Sequence, residues 1–385
     1  MDFTKIRVLV TSGGARQTLT ILHGLKQLGC HIAVLCSSRL DVGYASNIPH
    51  EKILDSRIST TGDDYIPFLT ELLQTGKYDV ILPVCEMSTN LVTQNEDELK
   101  KYVRLACASR QSYMNAFDKQ KTFEKSAELN IPMPCTRLSG QSVEDYLKTV
   151  EFPLIIKPRS GMGSIGFHKF EDEENFWEYI DEKKIDLDEY VLQEFVHYEK
   201  RLGTILFMDG KGNACMAYAD EVLRWFPIDA GTASLIRSID HPEAIDYSVK
   251  LLKSMNWQGV AALSFMVDIK TGEPKLMEIN GRIPASIRLS MQCGYNVAKL
   301  LLEMACDAEI EQYPVNTVFG QLTRHFHAEI PWFFKSPDKF RCEPSWFSWK
   351  NTKDVVYWSD DPKPWFAYTI GKLFTYKEFL RKRRR

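Results

Sequence analysis

The feature that most restricts the fold is the regular alternation of short apolar runs with helical stretches at the start of the chain. Ile6–Thr11 (IRVLVT), His31–Cys36 (HIAVLC), Tyr78–Val84 (YDVILPV) and Val103–Ala108 read as strands. Between them, Leu19, Leu22, Leu25 and Leu28 recur at helical spacing before Gly29, and Tyr65–Leu73 and Ser88–Lys101 carry further helices. Strands separated by helices require right-handed crossovers, so a parallel sheet is predicted. The turn after the first strand, Ser12-Gly13-Gly14, does not match GxGxxG. An anion site there and a plain strand-to-helix turn are both open, and NAD is not predicted.

Pro132 and Pro134 force an extended exit from the helical stretch Ser112–Leu129 and mark a boundary. Beyond it come the strand Phe152–Lys157, a glycine-rich turn, a charged helix near Glu171–Lys184 and the strand Tyr190–Val196. A hairpin, Leu202–Asp209 with Asn213–Val222, opens the next portion. The 385 residues exceed one ordinary core, and the division expected is 1–112, 113–200, 201–320 and an aromatic, basic extension at 321–385.

Three stretches carry candidate chemistry. In GVAALSFMVDIKTGEPKLMEINGR, two strand-like runs, Val260–Ile269 and Lys275–Asn280, flank a turn with Gly272 and Pro274. Residues two apart on a strand share a face, so Glu278 and Asn280 point together with Arg282 close behind. The hairpin is expected to bring Asp268 across from Glu278. Two carboxylates and an amide oxygen make a hard donor set for Mg²⁺ bound jointly with phosphate; a solvated hairpin is the plainer alternative. In FPLIIKPRSGMGSIGF, Lys157 ends an apolar strand, and Gly161, Gly163 and Gly166 let the next segment lie over an anion. The glycines follow the lysine and lack a GK[ST] ending, so this is not a P-loop. In VLQEFV, backbone groups at the strand end can pair with an adenine edge, or the segment is simply an edge strand.

Asp118-Lys119, IIKPRSGMGSIG, QEFV and FMVD…LMEINGR, in that order, resemble the ATP-grasp superfamily, closest in look to its carbamoyl-phosphate-synthase-like carboxylate–amine ligases. The resemblance implies an N-terminal Rossmann-like domain followed by two α+β lobes that grip Mg-ATP, with Mn²⁺ as an alternative ion. It implies that Lys119 and Lys157 contact phosphates and that Ser160, Gly161, Met162, Gly163 and Ser164 belong to a closing loop. Gln193, Glu194, Phe195 and Val196 would form the adenine hinge and Glu199 the ribose acid. Asp268, Glu278 and Asn280 would bind metal. Arg282, Lys157, Arg224 and Arg237 would be the catalytic cations, the last two near phosphates and acceptor together with Gly231. Many relatives have an acid where this chain reads Ser264, and a tryptophan where it reads Ile283-Pro284-Ala285. The reaction implied joins a carboxylate to an amine through an acyl phosphate, with carbamoyl-phosphate-type chemistry or an inert nucleotide-binding module as alternatives.

A net charge of −3 gives no pull toward nucleic acid, and no apolar run approaches the 18 or so residues of a bilayer span. The charged start Met1–Arg7 is not a secretory leader, so a cytoplasmic protein is expected. Nine cysteines without a CxxC pair suggest neither disulfides nor zinc. His325 and His327 would share one strand face without a third ligand. Glu86 could contact the acceptor or simply start a helix. The terminal run Arg381–Arg385 could touch an anionic membrane or be a solvated tail, and a homodimer is left open.

Overall fold

The computed structural model describes residues 1–55, 57, 64–161, 166–228 and 231–382, with side chains described up to residue 374. Strands β1 (Arg7–Val10), β2 (His31–Cys36), β3 (Glu51–Leu54), β4 (Val80–Leu82) and β5 (Arg104–Leu105) form the expected parallel sheet in the order β3-β2-β1-β4-β5. β3 is a partly exposed edge strand with little apolar signal. The loop after β1 enters the helix Thr18–Leu28, which Gly29 ends in the left-handed conformation at φ 74°.

A small antiparallel sheet follows: β6 (Leu154–Pro158), β7 (His168–Phe170) and β8 (Tyr190–Glu194), with β6 central. The large sheet is made of β9 (Tyr198–Asp209), β10 (Ala214–Phe226), β11 (Thr232–Ile239), β12 (Gln258–Asp268), β13 (Pro274–Asn280), β14 (Leu322–Arg324) and β15 (Thr352–Asp354). Its order is β13-β12-β9-β10-β11-β14-β15. Residues after 320, expected as an extension, therefore complete this sheet: β14 pairs with β11 and β15 lies beside it. His325 caps the helix Phe326–Lys335 instead of standing on a strand with His327. The backbone of the helix Lys363–Lys382 is described, whereas residues 383–385 of the basic run lie outside the described residues. No described helix is long and apolar enough to cross a membrane.

Packing decides which parts move together. Leu22 and Leu25 of the first helix pack with Leu300 and Leu301 of the helix Val297–Ala305, all 1% exposed or less. Each such burial is worth roughly 1.5–3 kcal/mol, so the N-terminal sheet and the large sheet share one core. The small sheet has its own core around Leu154, Ile156, Phe170, Phe176 and Leu192. Its ties to the large sheet are polar, through Lys157 with Met277 and Lys275 with Glu194.

Candidate active site

A cavity of about 410 Å³ lies between the small and large sheets, lined by Lys157 on one side and Glu278, Asn280 and Arg282 on the other. Lys157 comes from β6, where alternation buries Leu154 and Ile156 and sends the lysine toward the cleft. Its ammonium donates to the Met277 carbonyl oxygen at 3.3 Å and stands 4.8 Å from the Phe123 ring centroid. Burial pulls its pKa down to about 8, against the opposing pull of the Glu278 carboxylate.

Lys119 begins the helix Lys119–Glu128, whose N-cap is Asp118. Its ammonium donates to the Gly161 carbonyl oxygen at 3.2 Å. Arg159 grips Asp118 at 2.6 and 3.1 Å, and the Lys119 amide donates to the Arg159 carbonyl oxygen at 2.9 Å. The leading end of the glycine-rich turn is thus bound to the start of a helix, where amides and dipole favour an anion.

On the large sheet, Glu278 and Asn280 do share a face: the Asn280 amide donates to Glu278 Oε1 at 3.0 Å. Arg282 donates to Asn280 Oδ1 at 3.2 Å, and its Nε lies 3.7 Å from Glu86 Oε2. Glu86 is therefore both the first residue of a helix and the ion-pair partner of Arg282 behind the cavity lining; burial raises its pKa against the lowering pull of Arg282. Gly281 between them has a packing reason, because a Cβ there would meet the Trp257 ring at 2.5 Å.

The hairpin register corrects one expectation. Ser264 stands opposite Glu278, and Asp268 lies at the turn end of β12. There the Asp268 amide bonds to the Glu273 carbonyl, which fixes the turn and hence the count along both strands. Asp268 instead pairs with Lys275 at 2.6 Å, and Lys275 also reaches Glu194 at 2.6 Å. Among the described residues no three His, Cys, Asp or Glu converge on a metal position. Glu278 and Asn280 supply oxygen donors alone, which fits Mg²⁺ (or Mn²⁺) that completes its shell with phosphate oxygens and water.

The remaining expected residues divide. Gln193 is fully buried, with Nε2 donating to Thr136 Oγ1 at 2.7 Å. Glu194 is engaged by Lys275, Phe195 lies under the Lys169 ammonium at 4.2 Å, and Val196 is buried. The apolar part of the cavity is lined instead by Ile155, Met266 and Met277, which the sequence offered only as ordinary strand residues. The Glu199 side chain is 63% exposed beside Lys200 and does not line the cavity. Ser160 and Gly161 are exposed and do not line the cavity, while Met162, Gly163 and Ser164 lie outside the described residues.

Arg224 and Arg237 are not brought to the cavity. Arg224, 2% exposed, is ion-paired to Glu329 at 2.9 Å and donates to the Pro344 carbonyl at 2.8 Å. A bulge between Val222 and Arg224 turns it to that side. Arg237 pairs with Glu221 at 2.7 Å, while its neighbour Ile236 lines the cavity. Gly231 sits by Arg201, whose Nη1 donates to the glycine carbonyl at 3.1 Å. Arg201 does line the cavity, and burial lowers its pKa. Its place two residues before Gly203 on one strand face was the signal available for it.

Residues 116–286 match the family model for the ATP-grasp domain. The chain is 23% identical to the carbamoyl phosphate synthase large chain of Thermotoga neapolitana over 296 residues, 72% of this chain and 27% of that one. It is likewise 23% identical to the same protein of Methanothermobacter thermautotrophicus over 268 residues, covering 63% and 24%. The chain thus spans about a quarter of these relatives' length. Among solved structures, a biotin carboxylase–β-γ-ATP complex from Campylobacter jejuni aligns with TM-score 0.66 at 15% identity, over 82% of this chain and 74% of that one. N5-carboxyaminoimidazole synthetase from Staphylococcus aureus, complexed with ADP, aligns with TM-score 0.64 at 16% identity, over 84% and 82%. Motif order, family match and architecture agree: the chain has the ATP-grasp fold, and its residues 116–286 match the ATP-grasp domain.

Proposed function

We propose that this chain is an ATP-dependent ligase that joins a carboxylate to an amine through an acyl phosphate, releasing ADP and phosphate. The observation that carries this reading is the convergence of Lys157 from the small sheet with Glu278, Asn280 and Arg282 from the large one around a single cavity. When bound, Mg-ATP supplies the γ-phosphoryl group that activates the substrate carboxylate. Glu278 and Asn280 would hold the metal, and Lys157 with Lys119 would offset the phosphate charge that otherwise repels an incoming carboxylate. Arg282, steadied by Asn280 and Glu86, would hold the transferring group or the activated acyl group. Closure of the small sheet, with its separate core, would exclude water from the acyl phosphate.

Ser264, in the position opposite Glu278, favours a second reading, a nucleotide-binding module without turnover. A screen for ADP release with Mg²⁺ and pooled amino acids, short peptides and uronic acids separates the two. The ligase predicts release that depends on a carboxylate–amine pair. Measurable ATP binding with no release under any pairing would establish the inert module instead.

A further inference from the structure

Away from Lys157, the cavity is closed by the N-terminal domain and the segment after β14. Arg16, in the turn after β1, lines it together with His325 and Val355. Arg16 Nε is buried without a hydrogen-bond partner, and among the described residues its guanidinium makes no ion pair. His325 is 8% exposed; its Nε2 lies 3.3 Å from the Tyr368 hydroxyl, and its Nδ1 has no partner. The His327 ring stands 6.0 Å from that of His325 and 4.9 Å from that of Tyr368. The Lys372 ammonium lies 5.1 Å from the centre of the same tyrosine ring. Two imidazoles and an ammonium thus gather around Tyr368, with Arg16 beside them.

Charge at this end is unbalanced. His325 is held well below the ordinary histidine value, first by burial and then by Arg16, His327 and Lys372, so its ring is neutral. His327 is lowered by burial, with Lys372 and Arg16 acting the same way and Asp354 against them. Asp354 is the one acid that acts on either ring, and its carboxylate is already engaged by the amides of Phe326, Val356 and Tyr357 at 2.8–2.9 Å. Phe326 opens the ten-residue helix Phe326–Lys335, whose positive end adds to the same side. Buried positive charge without a counter-charge is costly, and an anion relieves it. Arg16 offers charged donors, and a neutral His325 that accepts from Tyr368 at Nε2 carries its hydrogen on Nδ1 as a further donor.

The Arg16 charge acts on neither Lys157 nor Asp220, so this end is distinct from the nucleotide end. One wall nevertheless joins the two. Pro284, Ala285 and Ser286 follow Arg282 and line the cavity. Arg288, just beyond them, donates to the carbonyl oxygens of Asp354 and Tyr357. Asp354 in turn holds the Phe326 amide next to His325.

We infer that Arg16 and His325 form an anion subsite that holds a non-reacting carboxylate or phosphate of the substrate, while the reacting end lies toward Arg282. Calling the ligand a substrate rests on the acyl-phosphate reading above; the anion site itself rests on the cluster. The substrate class is thereby narrowed to molecules with an anionic group apart from the carboxylate or amine being joined, such as a dicarboxylate or a phosphate ester.

Saturation-transfer NMR on the full chain, with Mg²⁺ and a non-hydrolysable ATP analogue filling the nucleotide end, tests the subsite without turnover. The probes are acetate, methyl phosphate and, as their neutral match, acetamide. The expected result is saturable transfer to one or both anions and none to acetamide, weakened at least tenfold in Arg16→Gln and partly restored in Arg16→Lys. The stronger anion identifies the group. The His325 ring resonance, assigned by its loss in His325→Gln, should move on addition of the bound anion. The rise in Tm with the analogue, unchanged in Arg16→Gln, shows that this variant folds and binds nucleotide. No transfer to either anion, equal transfer to acetamide, undiminished transfer in Arg16→Gln or an unmoved His325 resonance would overturn the assignment. ADP release that needs a carboxylate–amine pair and keeps both KM values in Arg16→Gln removes the subsite and leaves the ligase. Anion binding without ADP release under any pairing removes the ligase and leaves the subsite.

Discussion

The Lys157 ammonium donates to the Met277 carbonyl oxygen at 3.3 Å, so the small and large sheets are joined one residue from Glu278, at the point where charge must be balanced. Burial holds this lysine at about 8 instead of its ordinary 10.5. A base whose folded pKa is depressed carries its desolvation cost below that pKa, and the cost is relieved as pH rises from about 8 toward 10.5. A bound triphosphate favours the charged form. Mg-ATP binding near pH 9 is therefore expected to take up close to one proton and near pH 7 almost none. Calorimetry in two buffers of different ionisation heat measures this, and equal proton uptake at both values would contradict the placement.

Glu278→Gln removes the one carboxylate that the hairpin presents beside Asn280, and the ADP-release rate is expected to fall on the order of 100-fold. Asp268→Asn, at the turn, should leave the Mg²⁺ dependence of that rate unchanged and cost roughly 1.5–3 kcal/mol through the weakened, largely buried Lys275 pair. The pair of variants, compared over a Mg²⁺ titration, distinguishes the register seen here from one with Asp268 at the metal.

Arg224 and Glu329 form an ion pair in which both side chains are 2% exposed or less. Truncating Arg224 leaves the buried Glu329 carboxylate with only Arg324, at 3.7 Å, and the Ser234 hydroxyl, at 2.6 Å, as partners. Arg224→Leu should lower the unfolding free energy by roughly 3–5 kcal/mol, read as a drop in the urea midpoint. A variant with ordinary stability but impaired nucleotide binding would return Arg224 to the cleft.

Asp220 has its pKa pushed up to about 7 by burial alone. For an acid raised in the folded state, the stability cost begins above the unfolded value near 4 and levels off above about 7. Asp220→Asn should thus stabilise the chain by roughly 1–3 kcal/mol at pH 8 and by almost nothing at pH 4. Thermal or urea unfolding across that range checks it, and destabilisation at pH 8 would mean the carboxylate has a partner.

The residues whose placement follows from spacing were legible beforehand. Glu278 and Asn280 had to share a face because a strand alternates, and Lys157 had to emerge where Leu154 and Ile156 are buried. Asp268 was misplaced because register depends on how the turn Ile269–Glu273 closes, and a shift of pairing is invisible in one strand's pattern. Arg224 read as a cleft cation because its bulge, and the acid 105 residues away that receives it, have no local sequence mark.

By itself the sequence determined the parallel first sheet, the two hairpins and the one-sided display of Glu278, Asn280 and Lys157, since each follows from local periodicity and turn chemistry. Only the tertiary structure decided that strands β13, β12, β9 and β10 line up Glu278, Ser264, Gly203 and Asp220, and that Arg16 from the first domain closes the same cavity. Those neighbours are distant in sequence, and what brings them together is sheet order and a shared core, properties of the whole chain's packing that no single segment encodes.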